Sequence, residues 1–146
     1  MRAVGLDLGS KRIGVAVSDL SGTVASPLLV LQRSRSRRHD HDAIARLVRD
    51  EEADVVVVGL PLHLSGEAGP AARAAVAEAE RLATVVGVPV EMHDERLTTV
   101  TADRSMMEAG MRAPERRRVV DKVAAAVMLQ SWLDTRRARG SGSEAR

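Results

Sequence analysis

The sequence predicts an α/β protein with one mixed sheet, which begins as an antiparallel meander of three strands and continues with two parallel strands and flanking helices. Three observations support this fold class. Short apolar segments with brief links fill the first 32 residues, helical and strand patterns alternate from residue 39 onward, and no internal repeat or linker interrupts the series. Among the 146 residues, we expect one domain over 1–139 and a disordered tail at 140–146.

The predicted meander occupies the amino-terminal part of the chain. Residues 3–8 form a short apolar strand, and residues 12–18 alternate between Ile or Val and other residues, as a half-buried strand does. The G-S-K-R sequence between them predicts a hairpin turn. Residues 23–32 form the third strand, in which Pro27 predicts an edge or a bulge because proline cannot donate to a ladder. Strands joined by such short links pair antiparallel.

The rest of the chain has the pattern of strands joined by helices. Four consecutive valines at 55–58 predict a strand that is buried on both faces, as in a parallel sheet. Pro70 suits the first turn of a helix, and Gly87 suits its end. From these signals we expect helices over 39–52, 70–86, 98–109 and 115–139, and strands over 54–60 and 88–93.

Composition limits both the chemistry and the partners. The chain has no cysteine, so any metal ion must be held by oxygen or imidazole. No segment resembles a signal peptide or a membrane-spanning run, and we therefore expect a cytoplasmic protein without a membrane partner. Trp132 is the only aromatic residue, so a bound nucleic acid would be held by its phosphates and shape rather than by stacked bases. The arginine runs fit such contacts or an ordinary solvated surface.

Three acidic residues, far apart in sequence, lie beside segments that are expected to be buried. Asp7 lies in the first strand, and Glu95 follows the carboxyl end of the last strand, where open α/β sheets bind their ligands. Asp121 begins an inward-facing helical stripe that continues through Ala124, Ala125, Met128 and Trp132. Each acid also has a simpler interpretation, as a turn residue, an ion-pair partner of Arg96 or an acid that favours a helix N-terminus.

These acids predict a metal site. Burying ionised carboxylates without a partner is costly, and shared divalent cations are one kind of partner. Asp7, Glu95 and Asp121 are therefore candidate ligands for Mg²⁺ or Mn²⁺ and candidate catalytic residues for hydrolysis of a phosphodiester by in-line displacement. Side chains alternate along a strand, so only one of Asp94 and Glu95 belongs with the other two acids, and the pattern leaves that choice open.

Basic residues near the acids are candidate contacts for substrate phosphates. The candidates are Lys11 and Arg12 in the first hairpin, Arg96 beside Glu95, and the run of Arg116, Arg117 and Arg118 that precedes Asp121.

Four segments resemble, in order and spacing, the YqgF family, also called RuvX: D-L-G-S-K-R-I-G-V-A-V-S-D, V-V-V-G-L-P-L, D-E-R-L-T-T and D-K-V-A-A-A-V-M-L-Q. The resemblance covers residues 1–132 and implies an RNase H-like fold with a five-stranded sheet. It also implies that Asp7, Glu95 and Asp121 are the catalytic acids, which favours Glu95 over Asp94. Members of this family are described as pre-16S rRNA nucleases and as Holliday junction resolvases.

The resemblance leaves two substrates, structured RNA in ribosome biogenesis and branched DNA in recombination and repair. A resolvase needs two active sites across a two-fold interface. The sequence shows neither a sustained heptad nor a spare apolar face, so we expect a monomer or a weak homodimer and favour 5′-end maturation of pre-16S rRNA. The alternative from another class is a non-catalytic module that binds nucleic acid or a nucleotide, because the D-x-G hairpin also resembles the phosphate-binding strand of actin-like ATPases.

Overall fold

The computed structural model describes residues 1–97 and 113–144, without the side chains at 97, 113–119 and 141–144. In chain order, the elements are β1 (Ala3–Leu8), β2 (Arg12–Ser18), β3 (Ala25–Gln32), α1 (Arg37–Asp50), β4 (Val55–Leu60), α2 (Pro70–Ala83), β5 (Val90–Asp94), a 3-10 turn (Glu95–Leu97) and α3 (Ala113–Glu144). The helix predicted at 98–109 lies outside the described residues.

The strands form one five-stranded sheet in the order β3-β2-β1-β4-β5. β1 pairs antiparallel with β2, and β2 pairs antiparallel with β3. β4 lies parallel to both β1 and β5. The predicted mixed sheet, with its meander and two parallel strands, is therefore confirmed. Pro27 lies in edge strand β3, and the β2–β3 register shifts between Val15 and Ala16, directly beside the Pro27 pairing.

The sheet separates two hydrophobic layers. On one face it packs against α1 and α2, where Ile44, Val48 and Leu82 are buried. On the other face α3 crosses β1, β2 and β3. The inward stripe predicted to follow Asp121 is confirmed, because its four members are at most 8% exposed: Ala124, Ala125, Met128 and Trp132.

Five helix ends differ from the sequence-based boundaries: both ends of α1, the carboxyl end of α2 and both ends of α3. α1 begins earlier than predicted because the side chain of Ser36 caps it, accepting a hydrogen bond of 3.1 Å from the backbone N–H of His39. α3 continues through Gly140 to Glu144, beyond the point where the glycines and serines favour an end. Each glycine in a helix interior costs only about 1 kcal/mol, which does not by itself stop a long helix. The division into a domain and a tail stays a prediction.

Glycines allow α3 to lie close to the sheet. A Cβ atom on Gly5 would stand 2.9 Å from the Cβ of Leu129, and a Cβ on Gly14 would stand 2.1 Å from the carbonyl oxygen of Asp121. Side chains at these two positions would push the helix away, so the glycines bring the helix backbone down onto β1 and β2. Within the described ranges, no helix is both long and apolar enough to cross a bilayer.

Candidate active site

Asp7 stands on the central strand of the sheet, on the side that faces α3. Its antiparallel partner in β2 is Gly14, and directly opposed residues of an antiparallel pair project to the same face. A Cβ on Gly14 would meet the backbone of α3, so this shared face is the α3 face. Just beyond Asp7 the chain turns tightly, because the N–H of Gly9 donates to the carbonyl of Arg12 at 3.0 Å. A Cβ on Gly9 would come within 2.6 Å of the same carbonyl oxygen, so the turn requires glycine.

Asp121 reaches the same place from α3. Its backbone carbonyl lies over Gly14, and its side chain accepts a hydrogen bond of 2.6 Å from Nε of Arg12. The side chains of Arg12 and Asp121 are only 21% and 17% exposed, so solvent screens this ion pair weakly. The contact therefore holds the amino-terminal half of the described helix against the β1–β2 hairpin.

Glu95 approaches from the opposite flank of Asp7. A Cβ on Gly59 of β4 would stand 2.6 Å from Oε1 of Glu95, so this carboxylate lies directly over the glycine. Val57, two residues earlier, is buried in the layer beneath α3, and residues two apart on a strand share a face. Gly5 pairs with Val57, and two further steps along that parallel register bring Asp7 beside Gly59. All three acids thus lie on the α3 side, at the carboxyl ends of β1 and β4.

Asp94 points elsewhere. It is paired with Arg96 by contacts from Nε at 3.1 and 3.0 Å and from a terminal nitrogen at 2.6 Å. These hydrogen bonds lower the pKa of Asp94 and outweigh the opposing effect of burial. His93 precedes Asp94 and contacts Ser131 of α3 at 2.9 Å, so alternation directs Asp94 to the other face. Of the two adjacent acids, Glu95 is therefore the one on the α3 side, and its role as a site residue stays a prediction.

The three carboxylates lie on one side of the sheet, but their side chains are not arranged around a common point. Among the side chains described, those of residues 1–96 and 120–140, no three Asp, Glu or His residues stand where they could hold one ion together. Asp121 instead accepts the guanidinium of Arg12, which brings a positive charge to the acid. Carboxylate oxygens are the ligands that Mg²⁺ and Mn²⁺ take, so the donor set fits such an ion chemically.

The predicted phosphate contacts have different surroundings. Lys11 is exposed in the hairpin turn, while Arg12 is partly buried against Asp121. Arg96 is partly exposed beside Asp94 and also donates weakly, at 3.4 Å, to the carbonyl of Leu64 in the loop after β4. The side chains of the run Arg116, Arg117 and Arg118 lie outside the described residues.

A buried ion-pair network supports the hairpin from the opposite layer. Arg33 donates to both carboxylate oxygens of Glu78, at 2.8 and 2.7 Å, and its Nε donates to the carbonyl of Gly9 at 2.7 Å. Arg37 and His41 contact the same carboxylate at 3.0 and 2.8 Å. Because Glu78 is only 3% exposed, the network fixes Arg33 against the turn that follows Asp7.

Sequence reasoning does not identify Gly14, Gly59 or Glu78 as part of the site. The glycines look like ordinary small residues in apolar strands, and only the neighbouring chain shows why a Cβ is excluded. Glu78 did carry a signal, because it lies three residues after Ala75 and four before Leu82, on the buried side of α2. A charge at such a position predicts an ion pair.

The fold matches that of RuvC. The structure of Thermus thermophilus RuvC in complex with Holliday junction substrate aligns with a TM-score of 0.60 over 92% of this chain and 96% of RuvC, at 17% sequence identity. Another Thermus thermophilus RuvC structure gives a TM-score of 0.55 over 94% and 97% of the two chains, also at 17% identity. At this identity the likeness defines the fold alone, which is RNase H-like, as the sequence motifs predicted.

Sequence comparison defines the family. Residues 1–135 match the model of the RuvX family, described as Holliday junction resolvase. A relative from Mycobacterium sp. (strain KMS), named "Putative pre-16S rRNA nuclease", is 51% identical over 138 residues, which are 94% of this chain and 82% of that protein. A relative of the same name from Myxococcus xanthus (strain DK1622) is 47% identical over 137 residues, covering 94% and 90% of the two chains. This chain belongs to the RuvX family.

Proposed function

We propose that this chain is a divalent-metal-dependent hydrolase that cleaves phosphodiester bonds in structured RNA, in the 5′-end maturation of pre-16S rRNA. The observation that carries this proposal is the grouping of Asp7, Glu95 and Asp121 on one face and at one end of the sheet, around Gly14 and Gly59. The names of the relatives support nuclease activity and favour an RNA substrate. A non-catalytic binding module would have no use for three acids in this arrangement.

The proposed cofactor is Mg²⁺ or Mn²⁺, held by Asp7, Glu95 and Asp121. When bound, such an ion polarises a phosphoryl oxygen and lowers the pKa of a coordinated water. Two neighbouring cations are paired with other acids, Arg96 with Asp94 and Arg33 with Glu78. Arg12 contacts Oδ2 of Asp121, so its positive charge would compete with a bound ion for this carboxylate.

The basic residues of the hairpin are proposed to bind the substrate. Lys11 is exposed and Arg12 borders the acids, so both can meet a phosphate that enters over the carboxyl ends of β1 and β4. Arg96, beside the loop that follows β4, and the run Arg116–Arg118 are proposed to extend that contact. Their contribution should depend strongly on salt and little on base sequence, because it arises from counterion release.

Holliday junction resolution is the second candidate function. The RuvX model is described by that activity, and RuvC, which shares the fold, binds a Holliday junction substrate in its complex. A junction has two symmetric scissile strands and requires two active sites in one assembly, whereas one RNA end requires a single site. The two candidates therefore predict different products and different oligomeric states.

The substrate test incubates the purified full chain and Mn²⁺ with pre-16S rRNA or with a synthetic four-way junction, while its mass in solution is measured. We expect cleavage of the RNA by a monomer or weak dimer and an intact junction. Paired symmetric nicks in the junction by a stable dimer, with the RNA intact, would instead establish the resolvase.

The site test compares Asp7→Asn, Glu95→Gln and Asp121→Asn with the control Asp94→Asn. The first three should lower the cleavage rate by more than about 100-fold, the upper end of what residues that merely orient metal ligands contribute. Asp94→Asn should cleave normally, because that side chain lies on the other face. Asp7→Asn should also keep or raise the melting temperature without metal, since it removes repulsion between carboxylates. Wild-type cleavage by Asp7→Asn would exclude Asp7 from the mechanism.

A further inference from the structure

A cleft between α1 and α2 lies on the face of the sheet opposite the candidate active site. It has a volume of about 390 Å³, and its lining includes Arg37, Arg38, Arg81 and the buried ring of His41. Asp42 is the acid in the lining. No residue of this cleft belongs to the site proposed above.

The cleft carries an excess of positive charge that acidic side chains in the described part of the chain do not neutralise. Neither Arg38 nor Arg81 has an ion-pair partner within the part of the chain that the structure describes, and both are exposed. With Arg37 and Asp42, the lining has a formal charge of +2 when His41 is neutral. Glu78 beneath it does not cancel this excess, because Arg33 already neutralises that carboxylate through two hydrogen bonds.

One of these cations is also held in position. Arg37 donates to Oε1 of Glu78 at 3.0 Å, while its side chain remains 57% exposed. A guanidinium oriented in this way loses less side-chain entropy when it binds an anion than a free one does. The network that orients it continues through Arg33 to the carbonyl of Gly9, so the cleft is connected to the hairpin of the active site.

We infer that this cleft is a second phosphate-binding site, in which Arg37, Arg38 and Arg81 grip the backbone of the same nucleic acid at a distance from the scissile bond. The inference rests on the proposed nuclease function. Planar guanidinium groups match phosphate oxygens geometrically, and an open, cationic cleft without Trp, Tyr or Phe in its lining suits the backbone rather than the bases. Contacts on both layers suit a folded RNA whose arms pass around the carboxyl edge of the sheet.

The test measures binding of a synthetic RNA hairpin in EDTA, so that it does not depend on cleavage. The double variant Arg38→Ala/Arg81→Ala is compared with Arg46→Ala/Arg49→Ala, which removes the same charge from exposed positions of α1 outside the cleft. Each lost phosphate contact should weaken binding about 8-fold at 0.1 M salt, hence on the order of 60-fold for two, and should make the salt slope shallower by about 2. Thermal unfolding checks that each variant is folded.

A third variant should raise RNA affinity instead of lowering it. Asp42→Asn removes the acid from the lining and should raise affinity for the same RNA hairpin severalfold. Inorganic phosphate and a nucleoside monophosphate serve as competitors, since either would supply the same chemical group without a polymer. Millimolar concentrations of these probes should displace little RNA, because the polymer is held at several phosphates at once.

The inference is supported if the cleft variant alone loses affinity and Asp42→Asn gains it. Equal losses in the cleft and control variants would reduce the effect to net charge and overturn the inference. Unchanged RNA binding together with tight phosphate or nucleotide binding would assign the cleft to a small ligand and overturn it as well. The proposed nuclease fails on a different readout, retention of cleavage by Asp7→Asn, so the two failures are distinguishable.

Discussion

Replacing Glu78 by Gln should remove one large contribution to the acid sensitivity of this fold. Burial raises the pKa of Glu78, but hydrogen bonds from Arg33 and His41 and the charges of Arg33 and Arg37 outweigh that effect and lower the pKa from 4.5 to about 2. The carboxylate is thus more stable as an anion in the folded protein than in the unfolded chain, where its pKa is ordinary.

The magnitude follows from the difference between these two values. A pKa lowered from 4.5 to about 2 corresponds to about 3 kcal/mol of folding free energy. Since the folded pKa is depressed, this contribution is fully present above pH 4.5 and is lost as the pH falls from 4.5 toward 2. For a domain with a total stability of about 5–15 kcal/mol, that is a large fraction.

The assay is urea unfolding of the wild type and Glu78→Gln between pH 7 and pH 2.5, with Glu80→Gln as control. Glu80 is exposed on the same helix, so its replacement makes the same chemical change without breaking a buried contact. At pH 7, Glu78→Gln should be less stable by about 3 kcal/mol, within the range for breaking a buried ion pair. The gap between wild type and variant should then narrow as the pH falls below 4.5.

Parallel pH profiles for the wild type and Glu78→Gln would refute the reasoning. They would mean that the pKa of Glu78 is the same in the folded protein as in the unfolded chain. A normal stability of the variant at pH 7 would refute it too. Glu78→Gln should also loosen the turn after Asp7 in the candidate active site, because Arg33, which Glu78 holds, donates a hydrogen bond to the carbonyl of Gly9.

Two further substitutions test the contacts around Asp121. Arg12→Gln removes the guanidinium that occupies this carboxylate, and should raise Mn²⁺ affinity, measured by calorimetry without substrate, by about fivefold, equivalent to about 1 kcal/mol; an unchanged affinity would show that the ion pair does not compete with metal. Gly14→Ala would place a Cβ 2.1 Å from the Asp121 carbonyl and should destabilise the fold by at least about 1–3 kcal/mol, seen as a lower melting temperature. Its control, Gly140→Ala, meets nothing within 4 Å and should be neutral or slightly stabilising, so equal melting of both variants would contradict the packing argument.

The elements with strong local patterns were predictable from the sequence. Alternation identified β2, the four valines at 55–58 identified β4, and the stripe after Asp121 identified the buried side of α3. These signals are local, since each depends on residues within one element. The short distance between α3 and the sheet was not predictable, because it depends on glycines in β1 and β2 that contact the helix only in the folded chain.

The partners of the arginines show the same limit. Lys11, Arg12 and Arg96 all look available for phosphates in the sequence, yet Arg12 is paired with Asp121, 109 residues away, and Arg96 with Asp94. Periodicity can place a residue on a face but cannot identify a partner that distant. Periodicity indicates that only one of Asp94 and Glu95 can face the other acids, and the structure places Glu95 over Gly59.

The positions of Gly14 and Gly59 also determine which acid is central. Neighbouring strands lie about 4.8 Å apart, so the two glycines, on either side of Asp7, are separated by roughly two such spacings. Asp121 approaches over Gly14 and Glu95 approaches over Gly59, each in space that a side chain would fill. Asp7 is therefore the acid that stands between the other two, and Asp7→Asn should impair metal binding and cleavage at least as severely as either other substitution.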